Sequence, residues 1–237
     1  MVRKILLLAV VVAGAMMAGL ARAEQVQPLQ VALFTPVQLV PPGEFIRGLR
    51  LDLIYGENEN VSGIDLGLAN RTDANFEGIQ WGAVNLNGGH TFGWQSAFVN
   101  IDGTRMVGLQ TGLLNTVDGD TTGIQWGVVN WNAGFVHGWQ EGLFNYVGGE
   151  FIGWQDGGLN VVQGGAKGLQ TGLVNLVDGP FSGVQVGFIW NYAQSVHGVQ
   201  IGLVNATKSL NGLQVGIANY NGNKQPFEFF PIVNWSF

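Results

Sequence analysis

From Gly63 onward, apolar and polar residues alternate in short bursts. Ile79, Trp81 and Ala83 interleave with Gly78, Gln80 and Gly82, and Val199, Ile201 and Leu203 with Gly198, Gln200 and Gly202. Alternation at period two predicts a β-strand with two unlike faces. Each burst opens a unit, G-x-Q-x-G-x-x-N, that begins every fifteen residues from Gly63 to Gly198, with an eleventh copy one residue early at Gly212. The third position reads Asp65, then Gln80, Gln95, Gln110, Gln125, Gln140, Gln155, Gln170, Gln185, Gln200 and Gln214. A repeat this regular sets the architecture before any single residue is weighed, and no enzyme needs ten copies of one glutamine.

Two all-β architectures use such a unit. In a β-solenoid each unit is one coil and identical residues stack into ladders. In an antiparallel meander each unit is one strand and one turn, successive turns lie at opposite ends, and a thirty-residue parity follows. Turns after the strands at Gly78, Gly108, Gly138 and Gly168 resemble one another (GGH, DGD, GGE, DGP), whereas the intervening ones are irregular. Asn87-Gly88-Gly89, Asp118-Gly119, Gly148-Gly149 and Asp178-Gly179 read as sources of the positive φ that tight hairpins require. Similarity strengthens at sixty residues, where GLQTGLLNTVDG at 108–119 answers GLQTGLVNLVDG at 168–179. Parity therefore favours hairpins over coils. Adding segments around Pro28 to Val40 and Phe45 to Tyr55 and a last strand at 227–237 gives fourteen strands, an even number, as transmembrane barrels have.

Residues 1–23 carry Arg3 and Lys4, an apolar run from Ile5 to Leu20 and an Ala21-Arg22-Ala23 end, the pattern of a cleaved signal peptide. The remainder, 24–237, reads as a single repeat-built domain with repeats over 63–219. Its removal of three basic and no acidic residues leaves seven against sixteen, a net charge of −9, which argues against a nucleic-acid partner. The chain has no cysteine, so neither a disulfide framework nor a lipidated cysteine holds it.

The signal segment, the even strand count and the terminal Ile232-Val233-Asn234-Trp235-Ser236-Phe237 resemble bacterial outer-membrane β-barrels. That resemblance implies an antiparallel up-and-down barrel of about fourteen strands in the outer membrane, with lipid and the barrel-assembly machinery as partners and Trp235 and Phe237 as the assembly signal. The repeats over 63–219 resemble bacterial surface-repeat proteins with G-x-Q-x-G-x-x-N units. The function so implied is non-enzymatic, structural or weakly pore-forming. An exported β-solenoid with fifteen-residue coils, an adhesin or interaction scaffold, periplasmic or at the cell surface, is the alternative.

On the barrel reading the apolar face meets lipid and the ten glutamines line a lumen; they also suit a hydrogen-bonded ladder that stiffens the sheet. Glu141 and Asp156 oppose the lipid assignment, because they fall on the apolar face, where a charge is costly. They mark a protomer or partner contact, consistent with a homo-oligomer, or else, in a soluble solenoid, position four is simply a solvated corner. Arg50 and Asp52 share the polar face of their strand, where an ion pair fits. His90, His137 and His197 stand beside turns as surface residues, and neither a metal-ligand cluster nor a nucleophile motif is present, so no catalytic residue, metal or cofactor is expected.

Overall fold

The computed structural model describes residues 26–237; the expected signal peptide, 1–23, lies outside the described residues. Every described strand from Phe45 to Val162 pairs in parallel with the segment one repeat further on. Gly63 lies beside Gly78, Gly78 beside Gly93, Gln110 beside Gln125 and Gln140 beside Gln155. A parallel register fixed at one repeat length makes each repeat a full coil, so the chain is a parallel β-solenoid. The expected antiparallel meander and its closure as a transmembrane barrel are overturned: an up-and-down barrel reverses every second strand, and here the sheet runs from one end to the other without joining.

The turns explain why parity misleads. All of them stack along one edge of the solenoid and bond to each other. Gly134 N donates to the Gly119 carbonyl, Gly149 N to that of Gly134, Gly164 N to that of Gly149 and Gly179 N to that of Gly164. Alternation in turn sequence thus carries no information on chain direction. The turn glycines do not supply positive φ either; a Cβ on Gly119 would lie 1.6 Å from the Thr104 carbonyl oxygen, so glycine there allows close stacking of turns.

The stack begins with β1 (Val26–Phe34), which pairs in parallel with β3 (Phe45–Asn58) and in antiparallel fashion with the two-residue β2 (Val37–Gln38). It continues through β4 (Asn60–Thr72) and the shorter β5 (Phe76–Trp81), β6 (Val84–Asn87), β7 (His90–Ser96) and β8 (Val99–Asp102). Then come β9 (Arg105–Val117), β10 (Asp120–Asn132), β11 (Val136–Val147), β12 (Phe151–Val162) and β13 (Ala166–Asn221), the last winding through several coils. The expected closing strand is instead a cap. β14 (Phe229–Ser236) folds back antiparallel on the final coil, with Trp235 beside Leu213.

Four side chains of each coil from Gly63 to Gly168 point inward, at the third, eighth, tenth and fourteenth positions of the unit; in the coil of Gly183 one extra residue moves the middle two to Asn191 and Ala193. In the coil of Gly153 they are Gln155, Asn160, Val162 and Ala166, all buried. The tenth and fourteenth columns supply an apolar cluster over the later coils, including Val147, Phe151, Val162, Phe181 and Val196. The first glycine of each unit, and Gly48 one coil before the repeats, has φ between 128° and 150°, a conformation L side chains rarely adopt. A Cβ on Gly138 would also lie 1.8 Å from the Gly123 carbonyl oxygen. The repeat length and the glycine stack therefore enforce each other.

Candidate interaction surface

The third-position glutamines are fully buried, so they do not line an open lumen. Each donates from Nε2 to the Oε1 of the glutamine one coil earlier, in nine bonds of 2.7–3.0 Å from Gln95 to Gln214. Stacked parallel strands carry such amide ladders because identical residues recur at one strand spacing. At the N-terminal end Gln80 Nε2 donates to Asp65 Oδ2 at 2.8 Å. Asp65, the one odd third position, is held by Arg50 through Nε at 2.7 Å and Nη2 at 2.6 Å. At the other end Asn234 Nδ2 donates to Gln214 Oε1, and Lys224 Nζ donates to Asn234 Oδ1.

The asparagines, at the eighth position of every unit except that of Gly183, where Asn191 is ninth, form a second ladder that the sequence reading missed. Each donates from Nδ2 to the Oδ1 of the asparagine one coil later, in ten bonds of 2.7–2.9 Å from Asn70 to Asn219. Its donors point toward the C-terminal end, opposite to those of the glutamines. The same amide usually gives its second hydrogen to a corner carbonyl of the next coil, as Asn145 does to Asp156 O at 2.9 Å. Asparagine has the length to serve both partners. The only sequence signal was the eighth letter of the unit.

The asparagine ladder starts imperfectly, and two buried acids interrupt the interior. Asn70 Oδ1 is buried with no donor, because its neighbour in the preceding coil is Gly56. The space beside Gly56 is filled by the Asp52 carboxylate, which also makes no hydrogen bond although Arg50 Nε is 3.2 Å from Oδ2. Burial pushes the Asp52 carboxyl up to about 7, against the pull of Arg50 and with the charge of Asp65 adding to the rise. Asp102, in the tenth-position column, faces no cation. It accepts hydrogen bonds from Thr91, Asn87, Gln95 and Gln110, yet burial still pushes its carboxyl up to about 6. Among the described residues no group of three or more His, Asp or Glu side chains is placed to hold a metal ion.

With its polar groups turned inward, the solenoid presents apolar side chains outward. The sixth position, at a corner, carries Phe98, Leu113, Leu143, Leu173, Phe188 and Ile217, each at least half exposed. The flat face beside it holds the columns of positions fifteen, two and four. Trp139 and Trp154 stack there with centroids 5.0 Å apart and planes 1° from parallel. Trp94 Nε1 donates to Thr111 and Trp154 Nε1 to Thr171, contacts sixty residues apart. The equivalent partner of Trp139 is Asp156, but the Thr171 hydroxyl donates to that carboxylate, and Trp139 Nε1 is buried without a partner.

Glu141 and Asp156 are register neighbours on this flat face, side by side in adjacent coils. Trp235 and the terminal Phe237 stand exposed in its last row, Phe237 at 94 %. The solenoid thus brings together the acidic pair and the tryptophans and keeps the glutamines apart from both. Comparison with known proteins gives no match: no family, no curated protein and no solved structure.

Proposed function

We propose that the chain is an exported, non-catalytic β-solenoid that acts as an interaction scaffold at the bacterial cell envelope. The carrying observation is the corner column of exposed apolar side chains, with Phe98, Leu143, Phe188 and Ile217 each exposed by more than 60 %. A column of exposed apolar side chains this long, broken only at Gly158, on an exported protein marks a place where something docks. The interior supports a scaffold rather than a catalyst, because its repeated polar groups are consumed by one another. The resemblance of the repeats to bacterial surface-repeat proteins points the same way, as does the N-terminal export signal read from the sequence.

The test is retention by the cell envelope. The chain carrying Leu113→Ser, Leu143→Ser and Leu173→Ser should still fold, since all three side chains point outward, and should wash from isolated envelopes that hold the unaltered chain. Equal retention of both, or free solubility of both, overturns the scaffold reading.

A further inference from the structure

We propose that the flat face is a homodimer interface, in which two copies pack face to face about a two-fold axis running along the stack. This face is distinct from the corner column, so the proposal can fail while the scaffold reading stands, and the reverse.

The face repeats one row per coil. Each row presents the residue before the first glycine, then the second and the fourth positions of the unit; the row of Gly138 shows His137, Trp139 and Glu141. An axis along the second-position column maps each row onto the same row of the partner with its strand direction reversed. The first residue of a row then meets the partner's fourth.

In several rows this operation pairs a large side chain with a small one. Phe92 meets the partner's Ser96, and Thr122 meets the partner's Trp126. Between the rows of Gly63 and Gly212 the face carries four charged side chains: Glu77, Glu141, Asp156 and Lys167. His137 meets the partner's Glu141, while the partner's Asp156 falls between His137 and Lys167 in the flanking rows. The acidic pair of each copy thereby meets the lysine and an imidazole of the other. An axis along the strands would instead set fourth positions against fourth positions and give Lys167 no acid.

Size is sufficient. Eleven rows at about 4.8 Å and a five-residue width at about 3.3 Å per residue give roughly 900 Å² per copy. A standard stable interface needs about 800 Å² per partner. Face-to-face β-sheets pack in this way in sandwiches, and a two-fold axis makes the patch self-complementary.

The experiment is sedimentation velocity on the purified full chain across the micromolar range. Asp156→Lys and Lys167→Asp should each weaken dimerisation at least about tenfold, because each substitution sets like charges together twice in a two-fold interface. Mixing the two variants should restore the dimer, since the lysine introduced in one meets the aspartate introduced in the other. In a single chain the two positions are a row and about 13 Å of strand apart, so the rescue reads contact between copies.

A second readout does not depend on affinity. The chain has no cysteine, so His137→Cys with Glu141→Cys should yield a covalent dimer on oxidation; within one chain the pair is too far apart to bridge. A monomer at all concentrations, single variants that leave the dimer unchanged, a mixture that fails to reassociate, or no cross-linked dimer each overturns the proposal.

Discussion

Arg50 and Asp65 meet through two hydrogen bonds of 2.7 and 2.6 Å with both side chains fully buried. The pair terminates the glutamine ladder: Asp65 accepts from Gln80, while Arg50 gives another hydrogen to the Arg71 carbonyl at 2.7 Å. Removing one partner of a buried ion pair leaves an uncompensated charge. Arg50→Met should therefore lower stability by about 3–5 kcal/mol. Adding Asp65→Gln should recover most of that loss, because a neutral amide continues the ladder. Urea denaturation of the wild type and of the single and double variants checks this; a double variant no better than Arg50→Met would refute it.

A mid-ladder glutamine can be tested alone. Gln140 donates to Gln125 and accepts from Gln155, each at 2.8 Å. Gln140→Leu keeps the volume but leaves the Gln155 amide without its ladder acceptor and removes one of the donors to Gln125. The expected cost is about 2–3 kcal/mol from orphaned buried groups, read as a lower urea midpoint with an unchanged m-value.

Gly138→Ala probes the glycine stack. Its φ of 150° and the 1.8 Å approach of its Cβ to the Gly123 carbonyl leave no room for a methyl group. Backbone strain and the clash together should cost at least about 3 kcal/mol. Deleting Phe237, which is 94 % exposed, should change the melting temperature little. Similar losses from the two changes would contradict this placement.

Stability should fall as pH rises from mildly acidic to neutral. The carboxyls of Asp102 and Asp52 sit at about 6 and about 7 in the folded protein, above the ordinary aspartate value of 3.8, chiefly through burial. The folded state therefore holds these protons more tightly than the unfolded chain. Their contribution is fully present below the unfolded value and is lost as pH rises through 6 to 7, on the order of 2–3 kcal/mol for Asp102. Asp102→Asn with Asp52→Asn should flatten the change in urea midpoint between pH 4.5 and 7.5. An unchanged slope would show that other groups set it.

The two faces of each strand were legible in the sequence. Ile79 and Trp81 point outward and Gln80 inward, because alternation at period two fixes sides whatever the strand direction. Direction itself was not legible. Parallel and antiparallel neighbours share the same alternation, and the alternating turn sequences pointed to reversal although every turn stacks on the one before. The cap residues were visible only as exceptions: Asp65 broke the glutamine column, and its partner Arg50 lay one coil earlier on a strand outside the repeat. Asn70 and its successors repeated in every unit, slipping by one residue at Asn191, yet their double donation to the next coil depends on corner geometry that no periodicity encodes.

The opposed directions of the two amide ladders bear on how long such a stack can become. In an α-helix all peptide dipoles add, and the ends acquire partial charges. Here each new coil would bring one glutamine amide pointing toward one end and one asparagine amide pointing toward the other, so their dipoles largely offset. Extension by whole repeats would leave the ends electrically as they were, with Asp65 and Lys224 meeting the same amide termini. The number of coils is therefore a quantity that duplication or loss of fifteen codons can change without redesigning either cap.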